Sequence, residues 1–197
     1  MRGNKIWREL EQAKYEKVWG TNDYRKAQSP GDIFLNRLPV MDWLKVHNVK
    51  TVLDAGCGSG RMLRSLKIKD PSLEVAGMDI AENSIDSRMK DIFIQGCLWD
   101  EADFDKNYDA IFCIDVLEHI PTKYVGDVLI NLAEHTNKLL FLSASMQEDV
   151  FGAKLINEPL HLTVRDVWWW TGMLNQLFMK ADFLMASPTN LDAVLTK

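Results

Sequence analysis

The sequence reads Val52-Leu53-Asp54-Ala55-Gly56-Cys57-Gly58-Ser59-Gly60 at the point that decides its fold. An apolar run leads into an acid, and three glycines then alternate with other residues before a helical pattern begins at Arg61. Glycine has no Cβ, so it allows a turn with positive φ and lets a ligand approach the backbone closely. The following helix directs its free N–H groups and positive dipole end towards this turn. The stretch therefore predicts a strand, a glycine-rich turn and a helix, with a ligand over the turn.

The spacing of the glycines separates the classes of ligand that use such a turn. Dinucleotide-binding folds carry G-x-G-x-x-G, whereas this chain has D-x-G-x-G-x-G from Asp54 to Gly60. No GK[ST] sequence follows the turn, which excludes a phosphate-binding P-loop. An acid directly before the glycines suits a ligand with a cationic amino-acid end better than it suits a pyrophosphate. The turn thus favours S-adenosylmethionine over a nicotinamide dinucleotide.

Apolar runs alternate with helical patterns through the middle of the chain. Strands are predicted at 51–54, 73–79, 91–95, 108–114 and 138–144, with helices at about 61–68, 82–90 and 122–136. Two amphipathic helices are predicted before these strands, at 5–18 and 32–47. A helix at 165–179 and a β-hairpin formed by 181–187 and 191–195 are predicted after them. Such alternation is typical of a parallel sheet with both faces covered. Ligands of such sheets bind beyond the carboxyl ends of the strands.

Two further sequences lie at these carboxyl ends. Asp79 ends the second strand, 19 residues after Gly60, and a carboxylate there can accept both hydroxyls of a ribose. The fourth strand is followed by Asp115-Val116-Leu117-Glu118-His119-Ile120-Pro121. Together with the glycine turn, these residues resemble the class I S-adenosylmethionine-dependent methyltransferases. The last sequence is similar to the D-V-L-E-H-I box of their small-molecule, ubiquinone-type branch.

The resemblance implies a fold, a cofactor and a set of site residues. The fold is a Rossmann-like, doubly wound α/β sheet, mostly parallel, with a C-terminal antiparallel β-hairpin and N-terminal helices. The cofactor is S-adenosyl-L-methionine, with S-adenosyl-L-homocysteine (SAH) as product, and the methyl group passes to an oxygen or nitrogen of a small-molecule acceptor. The residues expected at the cofactor are Asp54, Ala55, Gly56, Cys57, Gly58, Gly60, Asp79, Ile80, Cys97, Leu98, Trp99, Asp115 and Val116.

The segment after the third strand departs from the family pattern. The family usually places an aspartate there to accept the adenine amino group, and the aligned residue is Cys97, whose thiol is a weak acceptor. Adenine is then held by the backbone at Leu98, by Asp100 or by stacking on Trp99. Because Gly96 lets the chain turn at the ligand edge of the sheet, we expect Cys97 itself to lie beside the adenine.

Two histidines are candidate general bases, and no metal is expected. Methyl transfer from a sulfonium needs proximity, and it needs a base if the acceptor carries a proton. His119 falls where the family's box often lines the substrate side, and His161 lies where related O-methyltransferases place a substrate-side histidine. The alternative for His161 is a surface or hydrogen-bonded core histidine.

Aromatic residues outside the motifs leave two interpretations open. Tyr15, Trp19 and Tyr24 either pack with the N-terminal helices on the sheet edge or form a lid over the cofactor. The rings of Trp168–Trp170 fan through about 200° of a helix, so one of them faces a cleft or a partner, or the three divide between core and edge packing. We expect one domain over 1–197, with a helical lid at 1–48, a cofactor-binding core at 49–145 and a substrate-side segment with the closing hairpin at 146–197.

Composition limits the partners and the compartment. The chain has 197 residues and a net charge of −5, which makes nucleic acid an unlikely partner because backbone capture needs clustered Lys and Arg. No apolar run approaches the ~18 residues of a membrane span, and no apolar segment of a secretory signal follows Met1. With three scattered cysteines, a cytoplasmic protein is expected. A homodimer, a catalytically silent S-adenosylmethionine-binding subunit and a nicotinamide oxidoreductase remain alternatives.

Overall fold

Seven strands form one sheet in the order β3-β2-β1-β4-β5-β7-β6. The computed structural model describes residues 2–27, 30–187 and 189–197. The strands are β1 (Thr51–Ala55), β2 (Glu74–Asp79), β3 (Phe93–Gln95), β4 (Tyr108–Ile114), β5 (Thr136–Ser145), β6 (Lys180–Ala186) and β7 (Asn190–Thr196). Of the turn predicted between the last two strands, Pro188 lies outside the described residues.

The sheet is parallel except at its C-terminal edge. β1 pairs in parallel with β2 and β4, β2 with β3, and β4 with β5. β7 is antiparallel to both β5 and β6. The strand order reverses between β1 and β4, and a crevice opens beyond the carboxyl ends of the strands at such a switch point. This architecture confirms the α/β fold predicted from the sequence, including the C-terminal hairpin.

Helices precede, separate and follow the strands. The α-helices are α1 (Arg2–Trp19), α2 (Asn22–Ala27), α3 (Pro30–Arg37), α4 (Val40–Val46), α5 (Arg61–Lys69), α6 (Val125–His135), α7 (Phe151–Ile156) and α8 (Val167–Leu174). Short 3₁₀ helices occur at Ser87–Ile92, Glu101–Asp103, Leu117–His119 and Thr122–Tyr124.

Alternate side chains of the central strands are buried on opposite faces of the sheet. On β4, Ile111 and Cys113 belong to the core shared with α6 and α8, whereas Ala110 and Phe112 belong to the core shared with α3, α4 and α5. Phe112 stacks on Phe141 of β5, with ring centroids 4.5 Å apart. Burial on both faces explains why these strands read as nearly continuous apolar runs.

Helix prediction was wrong at three places, each for a local reason. The helix predicted at 82–90 is instead a loop with a 3₁₀ helix, and the Asp86 carboxylate there accepts from Arg88 N at 3.0 Å, a side-chain bond that competes with helix formation. The predicted helix 32–47 is divided into α3 and α4 at Pro39, because proline disfavours a helical conformation in the residue before it. The stretch 145–164, which the sequence predicts to be irregular, contains α7, where Asp149 accepts from Phe151 N and Ala153 N at 3.0 and 2.7 Å.

Among the described residues, no helix is both long and apolar enough to cross a membrane.

Candidate functional site

The glycine turn lies at the carboxyl end of β1 and is bound to β2. Gly56 N and Cys57 N both donate to the carbonyl oxygen of Met78, at 2.7 and 2.9 Å. Gly56, Gly58 and Gly60 have φ values of +84°, +50° and +76°, a region that residues with a Cβ rarely adopt. The D-x-G-x-G-x-G spacing therefore reflects three positions that need glycine.

A cavity next to this turn, the loop cavity, is lined by acidic side chains. It has a volume of about 80 Å³, and the carboxyls that reach it come from Asp32 on α3, Asp54 at the end of β1 and Asp115 after β4. One carboxylate oxygen of Asp32 is buried without a hydrogen-bond partner among the described residues. Burial, followed by the neighbouring carboxylates of Asp79 and Asp32, raises the pKa of Asp54 to about 8. Such a group of carboxyls favours a cationic ligand.

Asp79 connects the end of β2 to the glycine turn. Its carboxylate accepts from Gly58 N and from Ala81 N, each at 2.9 Å. Burial raises the pKa of Asp79 to about 6 against the opposing effect of these backbone hydrogen bonds. The side chain also borders a second cavity, which Ile80 lines as well.

This second cavity, the strand-end cavity, is mostly apolar and aromatic. Its volume is about 100 Å³, and its lining includes Leu98, Trp99, Val116 and Ile120. Trp99 stacks on Tyr124, with ring centroids 5.0 Å apart and planes 11° apart. The packed rings give the cavity a rigid, flat wall that suits a planar ligand.

The structure places Cys97 differently from our expectation. Its side chain is 1% exposed and belongs to the core, and it is the neighbouring Gly96, Leu98 and Trp99 that line the cavity. Burial raises the pKa of the Cys97 thiol to about 12. The alternative acceptor, Asp100, pairs with Arg8 of α1 at 3.1 Å.

The N-terminal helices cover the glycine turn with two aromatic rings, Trp19 and Tyr24, which we call the aromatic cover. Both residues line both cavities, and their rings meet edge to face with centroids 5.0 Å apart. A Cβ on Gly58 would lie 2.6 Å from the Trp19 ring. Arg25 fastens the cover, because its Nε donates to the carbonyl of Trp19 at 2.7 Å and its Nη1 to that of Ser84 at 3.1 Å.

The two candidate bases lie together, although they are 42 residues apart in the sequence. The rings of His119 and His161 meet edge to face, with centroids 4.6 Å apart. Tyr15 OH lies 2.7 Å from Nδ1 of His119. Burial lowers the pKa of His119 to about 4, and His161 adds to this effect. His119 is therefore neutral at physiological pH, and it lines the strand-end cavity.

Two acids of this region were not among the site residues predicted from the sequence. Asp32 lies in a helix with no motif, and Glu118 lies inside the D-V-L-E-H-I sequence without an assigned role. No signal in the sequence pointed to Asp32, whereas the burial of Glu118 follows from its place after a buried strand. The rings of Trp168–Trp170 divide between an exposed Trp168 and a buried Trp170, and none of the three is among the described residues that line the two cavities.

Comparison with known proteins gives a family and a set of structural neighbours. A family model described as a methyltransferase domain matches residues 23–176. The magnesium-protoporphyrin O-methyltransferase of Synechocystis is 30% identical over 100 residues, which are 47% of this chain and 43% of that protein. The ubiquinone biosynthesis O-methyltransferase of Rickettsia akari is 28% identical over 92 residues, 43% of this chain and 35% of that protein. The matches thus span less than half the length of these relatives.

Solved structures share the fold at low sequence identity. Magnesium protoporphyrin IX methyltransferase from Synechocystis with bound SAH superposes with a TM-score of 0.64 at 16% identity, covering 98% of both chains. The plantazolicin methyltransferase BpumL in complex with SAH gives a TM-score of 0.66 at 15% identity, covering 100% of this chain and 98% of that one. These likenesses extend over the helices, the parallel strands and the C-terminal hairpin alike.

Proposed function

The chain belongs to the methyltransferase domain family that its sequence resembles, and we propose that it transfers a methyl group from S-adenosyl-L-methionine to a small-molecule acceptor. The bound donor supplies an activated methyl group on a sulfonium. The observation that carries this proposal is the acid-lined loop cavity beside a turn of three left-handed glycines. A pyrophosphate would be repelled by these carboxyls, which disfavours a nicotinamide cofactor.

The residues of the loop cavity fit the amino-acid end of the donor. Its ammonium supplies a charge for Asp54 and a hydrogen bond for the unpartnered oxygen of Asp32. A buried carboxylate oxygen without a hydrogen bond raises the free energy of the unbound protein. A cation that donates to this oxygen is therefore bound more tightly. Gly56 and Gly60 let the turn pack closely against its neighbours, because a Cβ on either would overlap the side chain of Val116 or of Ile85.

The strand-end cavity fits the nucleoside. Asp79 directs a carboxylate to its edge, and each of its oxygens keeps a lone pair after bonding the backbone. Ile80, Leu98 and Trp99 supply apolar surfaces for a purine. Adenine recognition then depends on the backbone after β3 and on ring packing, and not on the Cys97 thiol.

The aromatic cover acts as a lid in this proposal. Trp19 and Tyr24 lie between the two cavities, and a ligand that occupies both must displace at least one ring. The hydrogen bonds of Arg25 hold the closed position in the free protein. Opening admits the donor, and closing excludes water from the site.

The acceptor approaches from the side of His119 and Tyr15. The cavity wall there combines aromatic rings with the apolar side chains of Val116 and Ile120, which favours an apolar or aromatic acceptor. Neutral His119 has the protonation state of a base, with His161 beside it. The two relatives named above are O-methyltransferases, which favours oxygen as the methylated atom.

Binding and turnover test the proposal separately. We expect calorimetric titration to show that SAH binds and NADH does not. Labelled methyl groups from S-adenosyl-L-methionine should then appear in one member of a panel of hydroxylated and aminated aromatic metabolites. Tight NADH binding without SAH binding would contradict the proposal. Binding of SAH with no labelled product from any acceptor class would point to a catalytically silent subunit instead.

A further inference from the structure

The side chains of Glu118, His119 and His161 converge beside the strand-end cavity. Each offers a ligand atom, and these atoms all lie within 4.8 Å of one another. Two imidazoles and one carboxylate at this separation form the ligand set of many metal sites with open coordination positions. We propose that these three residues bind one divalent transition-metal ion, a role different from the bases that the sequence suggested.

Glu118 supplies an independent indication that a cation belongs here. The residue is fully buried, and its Oε1 accepts from Ser145 N at 2.7 Å. The other oxygen, Oε2, is buried and has no hydrogen-bond partner among the described residues. Buried polar atoms are nearly always satisfied, and the group that faces this side chain is another carboxyl, that of Asp115. Two ionised carboxylates only accept, so a cation would satisfy both.

Both histidines are oriented by bonds at the ring nitrogen that a metal would not use. Nδ1 of His161 contacts the carbonyl oxygen of Gln147, and Nδ1 of His119 lies 3.2 Å from the carbonyl oxygen of Leu160. Carbonyl oxygens only accept, so the tautomer that satisfies these contacts carries its proton on Nδ1. The lone pair is then on Nε2, as in histidine ligands whose second nitrogen donates to a carbonyl.

Tyr15 completes this arrangement from the N-terminal helix. Its hydroxyl lies 2.7 Å from Nδ1 of His119 and 3.5 Å from the carbonyl oxygen of Leu160. With its proton on Nδ1, His119 has an N–H that the Tyr15 hydroxyl and the Leu160 carbonyl share, and a hydroxyl that donates to the carbonyl leaves all three groups satisfied. Tyr15 is therefore a positioning residue for the ligand His119 and would influence the metal without touching it.

The ligand types select the class of ion. Mg²⁺ and Ca²⁺ prefer shells made only of oxygen, whereas imidazole suits Fe²⁺, Ni²⁺ and Zn²⁺ and carboxylate suits Mn²⁺, so this mixed set of ligands accepts divalent transition-metal ions. We therefore expect measurable binding of Mn²⁺ and Co²⁺ and much weaker binding of Mg²⁺. Three protein ligands leave positions for an exogenous oxygen, and His119 borders the cavity from which such an oxygen would come.

A role for the ion follows only if the proposed methyl transfer is correct. An ion held by His119 would position an acceptor hydroxyl and favour loss of its proton. In the transfer, the acceptor oxygen forms a bond to the methyl carbon, and the carbon–sulfur bond breaks with its electron pair left on sulfur. The hydroxyl proton passes to solvent. The site thus specifies an acceptor whose hydroxyl can bind a metal.

Metal binding can be measured without any turnover. The full chain is stripped with a chelator, and Mn²⁺ is then titrated while free Mn²⁺ is followed by electron paramagnetic resonance. We expect about one ion per chain, with affinity reduced at least tenfold in His161→Ala and in Glu118→Gln. The matched control is His47→Ala, which removes a histidine bonded to Trp43 O at 2.9 Å and should leave the affinity unchanged. Circular dichroism reports whether each variant folds, and partly exposed His161 keeps the test usable if Glu118→Gln does not fold.

Two results would overturn the metal site. One is the absence of stoichiometric Mn²⁺ and Co²⁺ binding by the wild-type chain. The other is equal Mn²⁺ affinity in the His161→Ala and His47→Ala variants. SAH titration of the same stripped protein separates this proposal from the proposed function. Retained SAH binding without metal binding would reject the metal site alone, whereas metal binding without SAH binding would reject the methyl donor alone.

Discussion

The two cavities meet at the aromatic cover, yet their linings offer a ligand different interactions. The loop cavity has carboxyls that come from three separate elements, so affinity there would depend on buried charge. The strand-end cavity has apolar side chains and stacked rings, so affinity there would depend on shape and contact area. Loss of one group should therefore matter more in the loop cavity, where a charge or a turn has no substitute.

The largest effect is expected at Gly58. Gly58→Ala places a Cβ 2.6 Å from the Trp19 ring at a residue with φ of +50°, which costs about 1–3 kcal/mol in backbone strain alone. We expect SAH affinity to fall by at least about a hundredfold, or two units of 1.4 kcal/mol. Gly172→Ala is the matched control, because nothing lies within 4 Å of its added Cβ and alanine stabilises a helix. Equal SAH affinities of the two variants by calorimetry would contradict the placement of the ligand over the turn.

The next effect is expected at Asp79, which lines the strand-end cavity and accepts a hydrogen bond from Gly58 of the glycine turn. Asp79→Asn removes the charge that Gly58 N and Ala81 N now share, and charge-assisted bonds contribute about 1.5–3 kcal/mol. SAH affinity should fall by about ten- to a hundredfold, while urea unfolding shows a folded protein. Exposed Asp127→Asn on α6 tests whether any loss of negative charge has this effect. A similar fall of SAH affinity in Asp127→Asn would show that the effect comes from the lost negative charge in general and not from a bond at Asp79.

Part of the difference between the two cavities could be predicted from the sequence, because that part depends on residues that are close together in the chain. The period of the apolar residues fixes β1, β2 and β4, and the glycines fix the turn at residues 56–60. The partnership of Asp32 with Asp54, and of His119 with His161, arises only when distant elements pack together. No single period or motif encodes such a contact.

The direction of a side chain in an irregular turn is equally hidden. Residues 96–99 follow a strand of three residues, too short for the alternation of β3 to extend into the turn. The sequence placed this segment next to the strand-end cavity, and the structure agrees in position. It could not show that Leu98 and Trp99 would line the cavity while Cys97 joined the core.

Mutation of Asp54 to asparagine should stabilise the free protein but weaken its binding of SAH. Its folded pKa of about 8 lies above the unfolded value of about 3.9, so the folded state binds more protons between these values. Its unfolding free energy therefore falls as pH rises through this window. Asp54→Asn cannot ionise, and we expect its stability relative to wild type to rise by on the order of 4 kcal/mol between pH 5 and pH 8.

Ligand binding reverses the sign for Asp54. The ammonium of the donor pairs with the carboxylate, so Asp54→Asn should bind SAH about tenfold more weakly. Urea unfolding at pH 5, 6.5 and 8, with and without SAH, measures both effects in one series. A stability difference that does not change with pH would show that Asp54 is not the buried carboxyl that we describe.

The smallest effect on SAH binding is expected for Cys97→Ala. A comparison with Trp99→Leu distinguishes a core residue after β3 from a residue that lines the strand-end cavity. Cys97 is 1% exposed and packs in the core, so Cys97→Ala should cost about 1–2 kcal/mol of unfolding free energy. SAH affinity should stay within about twofold of wild type, because the thiol does not line the cavity. Trp99→Leu, at a residue that does line it, should weaken SAH binding by about 1 kcal/mol, the low end of the contribution of aromatic stacking on a base, because leucine keeps an apolar contact. Calorimetry on both variants tests this assignment. A larger loss of SAH affinity in Cys97→Ala than in Trp99→Leu would show that the Cys97 thiol lies beside the adenine and that the turn has the opposite orientation.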